Sequence, residues 1–208
     1  MKALAVLYAT REGQTRRIAE RIAATLRTRD FRVDVVDVGC APPADFALAR
    51  YAAAVVAASI HIGKHEPEMI AFVKRHRADL ERIPTLFLSV SLSQAGADDA
   101  NATDRRRQSA AANVETMIVR FLRRTGWKPT RVHPVAGALL YRQYGIVVRF
   151  AMRFISTLVG ASTDTSRDHE YTDWRAVERF ADEFALLVGQ EPGSAESPTT
   201  AAAATGRA

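Results

Sequence analysis

Cysteine is almost absent from this chain, since Cys40 is the only one among 208 residues. A single thiol excludes an internal disulfide framework and a cysteine-based metal cluster, and it is typical of a reducing compartment. The sequence also lacks an uncharged apolar stretch of about 18 residues, the length that a transmembrane helix requires. The first residues run straight into a predicted strand, so we expect no signal peptide. Together these absences favour a cytoplasmic protein.

The composition is that of one soluble globular domain, with 48% hydrophobic and 25% charged residues. The formal net charge is +6, which suits anionic partners such as nucleic acid, anionic lipid or an acidic small molecule. Charge alone does not choose among these three.

Apolar strands alternate with amphipathic helices, which predicts a parallel sheet with helices on both faces. Five strands in one domain indicate an α/β, doubly wound, flavodoxin-like sheet in the order 2-1-3-4-5. Pro134 places the fifth strand at an edge, because proline removes a ladder donor. Asp173 is the predicted N-cap of the last helix. We predict strands at 3–8, 32–38, 52–58, 85–90 and 132–139, helices at 15–27, 66–80 and 109–124, and a polar loop at 94–104.

A loop with hydroxyls at both ends and an internal glycine follows the first predicted strand: Thr10, Arg11, Glu12, Gly13, Gln14, Thr15. A strand, a short loop and a helix N-terminus make an anion site, although such corners are also ordinary capping structures. The loop has neither the lysine of a nucleotide P-loop nor the repeated glycines of a dinucleotide fingerprint. A monophosphate held by neutral donors fits best, which points to flavin mononucleotide (FMN).

Two further loops follow the third and fourth predicted strands and face the same crevice. Their small residues let the backbone approach a flavin ring, and Ile60, Ile62 and Leu92 offer apolar cover. His61 and His65 are either acid–base groups or ordinary solvated histidines. These candidate cofactor-binding residues are Ser59, Ile60, His61, Ile62, Gly63, Ser89, Val90, Ser91 and Leu92. No catalytic residue and no metal ligand is predicted.

Segments 10–15, 58–63, 136–141 and 171–174 resemble the bacterial quinone-dependent protoporphyrinogen IX dehydrogenases, also called menaquinone-dependent oxidases, over residues 1–188. The resemblance implies FMN-dependent oxidation of protoporphyrinogen IX to protoporphyrin IX in heme biosynthesis, with menaquinone or ubiquinone as acceptor. It also implies peripheral contact with the cytoplasmic side of the inner membrane. The alternatives are a flavodoxin-like electron carrier and an NAD(P)H:quinone reductase. Glu12 stands where flavodoxins tend to have Thr or Ser, so we expect it to point to solvent.

An insertion at about 141–170 separates the fifth strand from the last helix. A predicted helix at 144–159 has a wide apolar surface, and Arg142, Arg149 and Arg153, seven and four residues apart, fall within one narrow cationic stripe at helical spacing. The stripe suits a membrane interface, a lid that grips substrate propionates, or packing against the domain or a second subunit. Homo-oligomerisation is left open.

A second basic region comprises Arg105, Arg106 and Arg107 with Arg120, Arg123 and Arg124. It is either a solvated face or a contact for anionic lipid. Nucleic acid is disfavoured, because no recognition module accompanies it. Residues 189–208 are rich in Glu, Pro, Ser, Thr and Ala, which predicts a disordered and dispensable tail.

Overall fold

The computed structural model describes residues 1–40, 46–139 and 169–190. The predicted helix at 144–159, the residues Arg142, Arg149 and Arg153, and residues 191–208 of the tail lie outside these ranges. In the described ranges, none of the helices combines the length and apolar character needed to span a bilayer.

A parallel five-stranded sheet forms the centre of the described structure. The strands are β1 (Ala3–Ala9), β2 (Arg32–Asp37), β3 (Ala53–His61), β4 (Lys64–His65), β5 (Thr85–Ser91), β6 (Arg131–Ala136), β7 (Ala138–Leu139) and β8 (His169–Glu170). The sheet order is β2-β1-β3-β5-β6, while β4 pairs only with the end of β3 and β7 pairs with β8. Without the short β4 this is the predicted order 2-1-3-4-5, which confirms the fold class. Pro134 lies on an edge strand, as predicted.

Helices cover both faces of the sheet. They are α1 (Gln14–Arg27), α2 (Pro67–Arg75), α3 (Arg77–Leu80), α4 (Leu92–Asp98), α5 (Asp104–Thr125) and α6 (Trp174–Gln190). On one face, Ile22 of α1 and Phe184 of α6 share a buried apolar cluster with β1 and β3. On the other face, Val73 of α2 and Phe121 of α5 share a second cluster with Trp127. Burial of these apolar faces holds the helices against the sheet.

Several element boundaries differ from the predictions. The third strand continues to His61, because residues 64–65 fold back and pair with its end. The polar segment 94–104 is not a continuous loop: Ser91 Oγ accepts the Gln94 N–H at 3.2 Å and caps α4. The predicted helix 66–80 is divided at His76 into α2 and α3. The fifth strand ends at Ala136, and Ala138–Leu139 turns into a separate ladder.

The amino-terminal cap of α6 was predicted correctly. The Ala176 N–H donates to Asp173 Oδ1 at 3.0 Å. A side-chain cap of this kind is worth about 1 kcal/mol. It fixes where the last helix begins, beside α1.

Candidate functional site

A cavity of about 330 Å³ lies at the carboxyl ends of β1, β3, β5 and β6, where ligands bind in sheets of this topology. All three predicted loops reach it, so the structure brings most of the predicted cofactor-binding residues together. The lining residues are Thr10, Glu12, Gln14, Thr15, Ser59, Ile60, His61, Ile62, Gly63, Val90, Ser91, Leu92, Ser93, Asn113, Thr116, Met117, Arg120, Gly137 and Ala138.

The loop after β1 presents an unsatisfied helix N-terminus to this cavity. Gly13 precedes α1 with a φ of 88°, and among the described residues no side chain caps the helix. Thr15 is 1% exposed, and its Oγ1 has no hydrogen-bond partner within the same ranges. Thr10 Oγ1 accepts the Gly13 N–H at 3.0 Å, which leaves its own proton free to donate. Free amides, two hydroxyls and the helix dipole therefore converge on one point, as an anion site requires.

Glu12 does not point to solvent, contrary to the expectation from sequence. Its Oε1 lies 3.3 Å from Nδ1 of His61, and its side chain is 21% exposed. The left-handed backbone of Gly13 turns the loop so that residue 12 faces the end of β3. Glu12 and His61 consequently form one polar wall of the cavity.

A buried carboxylate holds both Arg11 and Ser59, and of these two predicted site residues only Ser59 lines the cavity. Glu66 is 2% exposed, and its Oε2 accepts from Arg11 Nε at 2.8 Å. Its Oε1 accepts from Ser59 Oγ at 3.1 Å. Because Glu66 also precedes α2, this carboxylate joins the first loop, the end of β3 and a helix N-terminus.

Gln14 connects the anion site to residues 170–172 by side-chain hydrogen bonds. Its Nε2 donates to Thr172 Oγ1 at 2.8 Å and to Glu170 Oε1 at 3.0 Å. Thr172 in turn donates to the carbonyl of Ala136 at 2.7 Å. The 171–174 segment is one of the four that carry the family resemblance. Through Thr172 it holds the side chain of Gln14, and so the first loop, in place.

The β3–β4 hairpin forms the outer wall with an apolar tip. Its two-residue turn, Ile62 and Gly63, has φ values of 48° and 71°, the pattern of a type I′ turn. Ile62 is 77% exposed at the mouth of the cavity. A β-branched residue in the left-handed region is strained, and such strain clusters at functional sites.

Ser89 does not reach the cavity, which corrects one predicted site residue. It is fully buried, and its Oγ lies 2.9 Å from Nε2 of His65. The longer β5 moves Ser89 below the edge and brings Ser91 and Leu92 to it. His65 is not a solvated histidine: its ring packs on Phe87 and Phe121. Burial lowers the pKa of His65 to about 4, so it is neutral at physiological pH.

The sequence reasoning missed the wall contributed by α5. Asn113, Thr116, Met117 and Arg120 line the cavity from this helix. Their spacing of three to four residues, with buried Met117 among polar neighbours, was the available signal. Gly137 also lines the cavity, and a Cβ there would lie 3.4 Å from the side chain of Val90.

The described residues fit FMN. The partnerless Thr15 hydroxyl and the uncapped start of α1 match a phosphate monoester. The apolar tip at Ile62 and the backbone of 90–92 match a flat heteroaromatic ring with a polar edge. The class defined by fold and site is therefore a flavodoxin-like protein.

Comparison with known proteins agrees with that class and narrows it. The model of a family described as "Flavodoxin domain" matches residues 5–166. Protoporphyrinogen IX dehydrogenase (quinone) of Leishmania major is 36% identical over 183 residues, covering 88% of this chain and 74% of that protein. The Escherichia coli K12 protein of the same name is 33% identical over 187 residues, covering 90% of this chain and 96% of that protein. The chain belongs to this flavodoxin-domain family of quinone-dependent protoporphyrinogen IX dehydrogenases.

Solved structures support the fold alone. An NADH:FMN oxidoreductase in its apo form superposes with a TM-score of 0.53 at 13% identity, covering 92% of each chain. A cysteine-to-serine mutant of flavodoxin from Pseudomonas aeruginosa gives a TM-score of 0.52 at 10% identity, covering 90% of this chain and 99% of that one.

Proposed function

We propose that the protein binds FMN and oxidises protoporphyrinogen IX to protoporphyrin IX, with a quinone as the electron acceptor. The bound flavin supplies the redox chemistry, and the protein supplies binding and orientation. The observation that carries the proposal is the buried, partnerless Thr15 hydroxyl at the uncapped start of α1, in a chain of this family. A buried donor without a protein partner needs an explanation, and at Thr15, which lines the cavity beside a helix N-terminus, an anionic ligand supplies it.

Different residues around the cavity would contact the phosphate and the ring of FMN. Thr10, Thr15 and the first amides of α1 would bind the phosphate. The hairpin and the 90–92 backbone would bind the ring. His61 lines the cavity, and Glu12 holds its ring through Nδ1.

An anaerobic turnover assay tests the proposed reaction. FMN-loaded protein is mixed with protoporphyrinogen IX and menaquinone, and porphyrin fluorescence is followed over time. We expect porphyrin formation that depends on the quinone. Porphyrin formation at the same rate without quinone, or none with it, would refute the assignment.

Two other functions make different predictions for the same preparation. A flavodoxin-like carrier would exchange electrons with protein partners but would not form porphyrin. An NAD(P)H:quinone reductase would have its flavin bleached rapidly by NAD(P)H. The basic charge of +6 disfavours the carrier, because carriers of this type are usually acidic.

We also propose that the protein works at the cytoplasmic face of the inner membrane as a peripheral protein. The apolar quinone resides in the bilayer, and the exposed arginines of α5 suit anionic headgroups. Co-sedimentation with phosphatidylglycerol vesicles should fall as salt rises, because surface charge is screened. Equal sedimentation with neutral phosphatidylcholine vesicles would contradict the electrostatic contact.

A further inference from the structure

Arg120 stands where the cavity opens onto the outer face of α5. It lines the flavin cavity together with Thr116 and Met117. It also lines two adjoining depressions, of about 50 Å³ and about 650 Å³. The larger depression and the cavity share Thr116 and Arg120, so their surfaces are continuous. A ligand seated outside on α5 would therefore border the flavin cavity.

The larger depression is strongly cationic. Arg120, Arg123 and Arg124 line it with one carboxylate, Glu115, and with Val119, which is 44% exposed. In the part of the chain that the structure describes, no carboxylate pairs with any of these three arginines. Several other arginines of the described residues do pair with carboxylates, as Arg16 does with Glu20 at 2.8 Å. The depression thus keeps three guanidinium groups without a carboxylate partner beside the exposed side chain of Val119.

Helix chemistry explains two of these arginines but not the third. Arg123 and Arg124 occupy the last turn of α5, where the helix dipole favours cations. Arg120 lies one turn earlier, three and four residues from its like-charged neighbours, which is an unfavourable spacing. An anion bound at the cavity mouth would offset the repulsion between Arg120 and its neighbours.

We propose that Arg120 binds a propionate carboxylate of the tetrapyrrole and holds the macrocycle across the cavity mouth, with Arg123 and Arg124 adding to the positive field. This inference rests on the proposed function. A guanidinium group pairs with a carboxylate through two parallel hydrogen bonds, which fixes orientation as well as position. Met117, Val119 and the hairpin tip at Ile62 provide apolar surface for the ring system. The FMN phosphate would occupy the opposite region at α1, so the two anions do not compete.

Direct binding of protoporphyrin IX to the full-length, FMN-loaded protein tests the proposal without turnover. Arg120→Met keeps an unbranched apolar stem and removes the charge, whereas Arg120→Lys keeps the charge and removes the two parallel N–H donors of the guanidinium group. Arg105→Met is the matched control, because Arg105 is an exposed arginine of the same helix that lines none of these cavities. Porphyrin fluorescence gives each Kd.

We expect Arg120→Met to weaken binding about tenfold to a hundredfold, the range for a lost hydrogen bond to a charged group. The Kd of Arg120→Lys should lie between those of Arg120→Met and the unmodified protein. The Kd of Arg105→Met should equal that of the unmodified protein. The dimethyl ester of protoporphyrin IX should bind the unmodified protein at least as weakly as the acid binds Arg120→Met, because the ester also loses its attraction to Arg123 and Arg124. Arg120→Met should not weaken ester binding further.

Several results would overturn the inference. One is equal affinity of the unmodified protein for acid and ester, and another is an Arg120→Met protein that binds the acid normally. Loss of phosphatidylglycerol vesicle binding in Arg120→Met, with porphyrin affinity unchanged, would assign the arginine to lipid headgroups instead. If the unmodified protein neither binds nor forms porphyrin, the proposed function itself fails, which is a separate result.

Discussion

The Thr15 hydroxyl is a buried hydrogen-bond donor that the described part of the fold leaves unused. A buried polar group without a partner destabilises a protein by about 1–3 kcal/mol. A ligand in the cavity that Thr15 lines would satisfy this group. Thr15 therefore links folding and cofactor binding. Its unpaired hydroxyl lowers the stability of the empty protein, and the same hydroxyl stabilises the complex by donating to the bound cofactor.

Thr15→Val should separate these two effects, because valine has nearly the same shape without the hydroxyl. We expect the FMN Kd to rise about tenfold to a hundredfold, and the melting temperature of the empty protein to stay level or rise. Riboflavin, which lacks the phosphate, is the control ligand and should bind both proteins equally. Flavin fluorescence quenching measures all four affinities. An equal loss of riboflavin affinity would place Thr15 at the ring instead of the phosphate.

His65 should make stability depend on pH. Burial lowers its folded-state pKa to about 4, below the 6.5 of an exposed histidine. Between these values the unfolded chain binds a proton that the folded protein does not. The contribution of His65 to stability is therefore fully present above pH 6.5, and about 3 kcal/mol of it is lost as the pH drops toward 4.

His65→Phe should remove that part of the pH dependence, since a phenyl ring suits its aromatic neighbours and does not titrate. Urea unfolding of both proteins at about pH 7, 5.5 and 4, one value above the exposed pKa, one between the two and one at the folded-state pKa, gives the comparison. Burial also lowers the pKa of His76 and His133, so the substituted protein keeps a smaller slope. Parallel pH profiles would show that His65 is not the group responsible.

At the scale of single elements, the β3–β4 hairpin combines strain with exposure. Ile62 has a φ of 48° while 77% of its surface meets solvent. An exposed side chain contributes little packing to offset an unfavourable backbone. We infer that the Ile62 side chain covers a flat ring bound at the cavity mouth.

Ile62→Asn should therefore have effects of opposite sign on folding and on binding. Asparagine tolerates the left-handed region, so the empty protein should gain about 1 kcal/mol of stability. FMN should bind more weakly, because the apolar cover is lost. Gly63→Ala is the companion control: with a φ of 71° and open space around its Cβ, it should lose stability through backbone strain alone. Unchanged FMN affinity in Ile62→Asn would remove Ile62 from the site.

Element prediction succeeded where a local pattern dominates and failed where distant contacts decide. The periodic apolar faces of α1 and α6, and the cap at Asp173, were visible in the sequence. The extension of β3 was not, because it depends on pairing with Lys64 and His65. Glu12 and Ser89 were misplaced for the same reason, since their partners, His61 and His65, lie far along the chain.

At the scale of the whole molecule, the order of strands in the sheet predicts where the site lies. Parallel strands alternating with helices determine which strand ends meet, so the sequence alone assigns three loops to one edge of the sheet. The α5 wall could not be assigned, since the path of a helix over the edge is set by packing against β4 and α4. Arg120 was accordingly seen as part of a surface charge run and not as a cavity residue.

The domain limit at about residue 188 makes a whole-molecule prediction. The apolar face of α6 is buried up to Val188, and the helix ends at Gln190. A chain ending at Gln190 should keep its melting temperature and its FMN affinity, because no core contact of the described structure is lost. Thermal unfolding and flavin titration of the shortened and full chains measure this. A drop of several degrees would assign a structural role to residues 191–208.

The bracing of Gln14 by Thr172 has a consequence for the order of events during synthesis. These partners are 158 residues apart, so the first loop emerges from the ribosome long before its support exists. Contacts of such separation form late, after the strands between them have paired. We therefore expect nascent chains that stop before residue 170 to capture no FMN, and the cofactor to be acquired only by finished chains.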